Sequence, residues 1–171
     1  MENLPIQIIL YGEANSGKTT SLMKLAAKLG GITTAEIYEE LKKRTRNKDA
    51  RFIVEYEGKL IYIGTCGDTW AACRVNINFF ERDYSSKLDV YIISGKTVRK
   101  YTKAPDETRK PDVCVCACRP EGDSYGAIKA LHSYSETSIQ KYKQQIWIRK
   151  DKDIDCNVQA KELKDIIDRH L

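Results

Sequence analysis

Apolar positions in this chain fall into two alternating patterns. Short continuous runs read as buried strands, and runs spaced three and four apart read as helices. "IQIILYG" (Ile6–Gly12) is the first strand. In "EANSGKTTSLMKLAAKLGG", Leu22, Leu25, Ala26 and Leu29 recur at helical spacing and Gly30-Gly31 stop the helix. "TTAEIYEELKK" carries a capping box from Thr33 to Glu36, with Ile37 and Leu41 four apart, and predicts a short second helix. "RFIVEYEGKLIYIG" predicts a hairpin turning at Glu57-Gly58.

"DTWAACRVNINFFERDY" follows as a helix, capped by Asp68 or Thr69, with Ala72, Val75 and Phe79 on its apolar face. "LDVYIIS" (Leu88–Ser94) and "DVCVCAC" (Asp112–Cys118) predict strands. The polar stretch between them, with Pro105 and Pro111, predicts an insertion or hairpin arm around residues 95–111. "DSYGAIKALHSYSE" reads as a helix with Ile128 and Leu131 inward, and "QQIWIRK" (Gln144–Lys150) as a strand. "NVQAKELKDIIDRHL" closes as a helix facing Leu163, Ile166 and Ile167 to the core. Trp70 and Trp147 are expected in the core. Alternating strands and helices predict an α/β fold: a three-layer, mostly parallel sheet with helices on both faces. The hairpin adds one antiparallel strand, expected at an edge. The length of 171 residues suits one domain over 1–171.

The first strand and helix flank "GEANSGKTT". It satisfies G-x-x-x-x-G-K-[ST] with Gly12, Gly17, Lys18 and Thr19, in the required strand–loop–helix context. Glycines at both ends let successive backbone N–H groups turn inward around a phosphate. The helix N-terminus adds partial positive charge. Lys18 suits the β- and γ-phosphates and Thr19 suits Mg²⁺. The candidate nucleotide-binding residues are Gly12, Glu13, Ala14, Asn15, Ser16, Gly17, Lys18, Thr19 and Thr20.

On these residues the chain resembles the P-loop NTPase superfamily. "NSGKTT" is also similar to the loops of the small GTP-binding adapter proteins of molybdenum-cofactor synthesis. The likeness covers roughly residues 6–30 and is architectural beyond them. It implies a Mg²⁺-nucleotide at the C-terminal edge of the sheet, held by Lys18 and Thr19.

"SGKT" recurs at Ser94–Thr97, but there the residue in the first glycine's place is Val90. "KTVRKYTK" after it has the β-branched and aromatic content of a strand. Gly95-Lys96 therefore predicts a turn between strands, not a second phosphate site.

A phosphate loop needs an acid near its metal, ordinarily just past the end of an apolar strand. In "LIYIGTCGDT" that position is Asp68, assigned to Mg²⁺ with Thr19; the D-x-x-G pattern itself is broken, since Gly64 stands at its Asp. Glu55 and Glu57 are weaker candidates, and Glu13 is placed to orient a water or a partner group. Arg119, after "DVCVCAC", would reach the same edge and stabilise transferring charge or bind a second substrate. Lys18, Asp68 and Arg119 form the expected catalytic set. Thr33 and Thr34 offer a switch threonine, although capping already accounts for Thr33. His132 and His170 are read as ordinary surface histidines. Arg99, Lys100, Lys103, Arg109 and Lys110 suggest a basic lid.

The guanine-reading [NT]-K-x-D is missing: the corresponding stretch is Arg149-Lys150-Asp151-Lys152, and "NKDA" (Asn47–Ala50) lacks the final Asp. That favours ATP over GTP. Hydrolysis of the nucleotide is the leading reading. The alternatives are a kinase that passes the γ-phosphate to a second substrate, and a non-catalytic adapter that binds a protein partner.

Composition changes this picture little. Net charge is +5, concentrated in "KKRTRNKDAR" (Lys42–Arg51) and "KTVRKYTK" (Lys96–Lys103). No nucleic-acid-binding motif accompanies it, so nucleic acid is not an expected partner. No apolar run approaches a membrane span and the N-terminus lacks a secretion signal, which predicts a cytoplasmic protein. Of six cysteines, Cys114, Cys116 and Cys118 alternate on one strand face. They stand about 6.5–7 Å apart, too far for disulfides, and read as small buried hydrophobes.

Overall fold

The computed structural model describes residues 4–43, 49–66, 76, 79–80, 89–101, 110–122, 125, 133–134, 139–140 and 142–171. Its strands are β1 (Ile6–Tyr11), β2 (Arg51–Tyr56), β3 (Lys59–Gly64), β4 (Val90–Ser94), β5 (Thr97–Lys100), β6 (Val113–Cys118), β7 (Ser133–Tyr134), β8 (Ile139–Gln140) and β9 (Gln144–Arg149). Its helices are α1 (Lys18–Gly30), α2 (Thr34–Leu41) and α3 (Cys156–His170). The fold is α/β, built on a seven-stranded mixed sheet in the order β5-β4-β2-β3-β6-β1-β9. β7 and β8 form a separate two-stranded ribbon.

The centre is parallel. β1 pairs in parallel with β6 and β9, and β6 with β3. β2 runs antiparallel to β3 and parallel to β4, so both β2 and β4 oppose β1. This corrects the expected edge position of the hairpin. β2 lies inside the sheet because β4 and β5 extend it on the outer side, β5 antiparallel to β4. The all-apolar stretch Phe52–Val54 is buried on both faces, as an interior strand requires.

Both hairpin turns have the left-handed backbone that two-residue loops need. Glu57 and Gly58 have φ of 52° and 73°, and Gly95 and Lys96 have 58° and 60°. The second "SGKT" is thus the β4–β5 turn, with Thr97 Oγ1 donating to the Ser94 carbonyl at 2.8 Å. Arg99 and Lys100 lie on β5, the strand at the far edge from β9, and Lys100 pairs with Asp89 at 3.1 Å. Those two residues form no lid over β1; Lys103 and Arg109 lie outside the described residues.

One apolar cluster joins α1, α2 and α3 to the sheet through Leu22, Leu25, Ile37, Leu163, Ile166 and Ile167. On the other face Cys114, Cys116 and Cys118 pack with Tyr62, Phe79 and Phe80. Those three cysteines are buried and form no disulfide with one another, as their alternation on one strand face requires. The expected helical layer on that face is represented by Asn76, Phe79 and Phe80; Trp70, Ala72 and Val75 fall outside the described residues. The helix expected over "DSYGAIKALHSYSE" is corrected at its end, where Ser133–Tyr134 form β7; Ile128, Leu131 and His132 are not among the described residues. Trp147 is half-buried rather than fully core, because β9 is an edge strand, and it packs edge-on against Tyr11 and beside Tyr125. Among the described residues, no helix is long and apolar enough to cross a membrane.

Candidate phosphate and metal site

β1 ends at Tyr11, and the chain leaves the sheet at Gly12, whose N–H donates to the Cys118 carbonyl at 3.1 Å. A side chain has no room there: a Cβ built on Gly12 would stand 2.4 Å from the Lys150 carbonyl oxygen and 2.9 Å from Ser16 Oγ. The loop then turns tightly. Ser16 N–H donates to the Glu13 carbonyl at 3.2 Å, and Asn15 and Gly17 adopt φ of 62° and 101°. Gly17 is the N-cap of α1 and provides no side-chain cap, so the first-turn amides of the helix carry their full anion-binding capacity.

Two ammonium groups support the loop. Lys18, 6% exposed, folds back to donate to the Gly12 and Glu13 carbonyls at 2.6 and 2.8 Å. Lys150, 1% exposed, donates to the Asp151 and Ile154 carbonyls, both at 2.6 Å. Its backbone N–H bonds Tyr11 O at 2.7 Å, and its Nζ would lie 3.4 Å from a Cβ built on Gly17. Lys150 thus ties the β9–α3 turn to the underside of the loop. Burial pushes the Cys118 thiol up to about 12 against the pull of the nearby Lys18 charge, so it adds no negative charge beside the cradle.

The loop fits a phosphate on three counts: glycine where a Cβ would clash, an uncapped helix N-terminus, and a buried Ser16 Oγ with no hydrogen-bond partner among the described residues. Glu13, Asn15 and Thr20 are exposed, and Ala14 is half-buried. A cavity of about 420 Å³ opens from Gly12, Glu13 and Ser16 toward Pro120 and residues 149–154.

Thr19 faces an acid that the sequence reading passed over. Its Oγ1 lies 3.5 Å from Asp49 Oδ1 and 3.4 Å from the Thr65 carbonyl. Thr65 Oγ1 also donates to Asp49 Oδ1 at 3.3 Å and accepts from the Ala50 N–H at 2.9 Å. Asp49 lies two residues before the start of β2, and Thr65 immediately follows β3. Because β2 opposes β1, its beginning lies at the edge where the parallel strands end. A search past strand ends could not reach it; recognising that "RFIVEY" enters the sheet in reverse would have. The expected metal residue Asp68 lies outside the described residues.

The remaining candidates separate. Arg119 stands at the end of β6, half-buried, one residue past the Cys118 carbonyl that holds Gly12. β3 is not beside β1, since β6 lies between, although Thr65 still reaches Thr19. Thr33 caps α2 through a complete capping box with Glu36. Glu55 accepts from Ser94 Oγ at 2.9 Å. Glu57 sits in the β2–β3 turn, at the opposite end of β2 from Asp49. His170 Nδ1 lies 2.8 Å from the Ile166 carbonyl, at the end of α3. Arg149 Nε donates to Asp151 Oδ1 at 2.8 Å, so the stretch in the place of a guanine reader is internally paired.

Compared with protein-family models, curated proteins and solved structures, the chain matches none.

Proposed function

We propose that this chain is a P-loop-type nucleotide-binding protein that takes one Mg²⁺-nucleoside triphosphate. The observation that carries this reading is that the Gly12–Thr19 cradle and the Thr19–Asp49–Thr65 cluster meet at one sheet edge. In this reading the loop amides and Lys18 hold the phosphates, and Ser16 Oγ gains an acceptor. Mg²⁺ keeps most of its waters, so few protein oxygens suffice, and Thr19 with Asp49 would hold it. Bound there, the metal would neutralise charge on the phosphate oxygens. Asp68 remains a proposed contributor beside Asp49, and Arg119 a proposed charge stabiliser. The nucleoside would occupy the cavity toward Pro120 and residues 149–154. Lys152 stands where guanine readers carry an acid, which favours ATP. Hydrolysis is the proposed reaction, with transfer to a second substrate as the alternative.

Asp49→Asn tests the metal half of this proposal. It should raise the Mg²⁺ concentration needed for triphosphate binding by about tenfold or more. It should leave metal-free binding unchanged. An unchanged Mg²⁺ midpoint would remove Asp49 from the site.

A further inference from the structure

Arg51 is a buried cation with no anionic partner among the described residues. The residue is 9% exposed, and Nη2 donates a hydrogen bond to Cys66 Sγ at 2.9 Å. Among the described residues, Nε is buried without a partner and no carboxylate pairs with the guanidinium. Cys66 does not supply the missing charge, since burial raises its thiol despite the neighbouring guanidinium. An unpaired buried charge is costly, and proteins keep one where a ligand completes it.

Its location says which ligand. Arg51 opens β2, two residues after Asp49, in register with Gly64 at the end of β3. Thr65, between Gly64 and Cys66, bonds both Thr19 and Asp49. The Cys66 end of this connection is fixed: Asn76 Nδ2 donates to its carbonyl at 2.6 Å, in space that exists because residue 64 is glycine. The guanidinium therefore stands at the same sheet end as the Thr19–Asp49–Thr65 cluster. Its planar fork matches phosphoryl oxygens.

We propose that Arg51 receives a phosphoryl oxyanion on the acceptor side of the nucleotide site. This rests on the nucleotide reading above. The oxyanion is either the terminal phosphate of the nucleotide or a phosphate on a second molecule; the chemistry at Arg51 is the same.

Calorimetry on wild type and Arg51→Met separates the two sources. The ligands are Mg-ADP, the Mg complex of the β,γ-imido analogue of ATP, and inorganic phosphate added to protein saturated with Mg-ADP. Arg51→Met should keep diphosphate affinity within about twofold. It should weaken one of the other two ligands by about tenfold or more. Loss of the analogue identifies the terminal phosphate, and loss of inorganic phosphate identifies a second molecule. If both are bound as by wild type, Arg51 is a structural cation and the proposal is overturned. Should Arg51→Met not fold, Arg51→Lys keeps the charge without the fork. It must then show a loss of about threefold or more against the same ligands, and wild-type binding overturns the proposal. Wild type that binds no nucleotide defeats the P-loop reading instead. Inorganic phosphate is then titrated onto nucleotide-free protein, and saturable binding that Arg51→Met abolishes upholds Arg51 alone, while its absence or persistence overturns it.

Discussion

Gly12 shows how far a single residue commits the site. Its Cα lies against the Lys150 backbone, so the start of the loop is locked to the β1–β9 pairing rather than to a movable side chain. Gly12→Ala should cost about 1–3 kcal/mol in denaturant unfolding, since backbone must shift to admit the methyl. An unchanged midpoint would mean that β9 yields there freely. Gly12, Gly17, Lys18 and Thr19 stood out as candidates from spacing alone, because phosphate-binding chemistry fixes both the residue types and their separation. Asp49 could not. A carboxylate needs only to arrive near Thr19, and any strand end at that edge can deliver it. Arg51 was hidden for a different reason: in sequence it is one more basic residue of "KKRTRNKDAR", and only burial distinguishes it from solvated neighbours.

At the scale of elements, the two "SGKT" copies are separated by what flanks them. The first follows a buried parallel strand and starts a 13-residue helix; the second closes a hairpin between β4 and β5. Lys96 sits at positive φ in that hairpin, and β3, β6, β2 and β4 intervene between β5 and β1. Lys96→Ala should therefore leave nucleotide affinity within about twofold of wild type. A larger loss would give the second copy a phosphate role. Capping box, turn glycines and helical spacing were legible because each is local, encoded within a few residues. Strand direction is not local. Nothing within "VYIIS" says that it pairs parallel to β2 and against β1, and this is why the hairpin looked like an edge.

Across the whole molecule, the sheet brings together residues that no short segment contains. Parallel strands β1, β6 and β3 deliver Gly12, Arg119 and Thr65 from their ends, and antiparallel β2 delivers Asp49 and Arg51 from its start. Helices α1 and α3 stand side by side on one face, and their N-termini flank the loop: Cys156 Sγ, in the first turn of α3, lies 3.6 Å from the Gly17 carbonyl. The concentration of donors at one edge makes nucleotide binding the central claim. It is tested most directly by calorimetric titration of ATP, GTP and their diphosphates with Mg²⁺ into wild type and Lys18→Ala. The account predicts saturable binding of one triphosphate to wild type, weakened by about tenfold or more in Lys18→Ala through loss of a charged hydrogen-bond donor. Wild type that binds none of the four, or Lys18→Ala that binds as well as wild type, would contradict it.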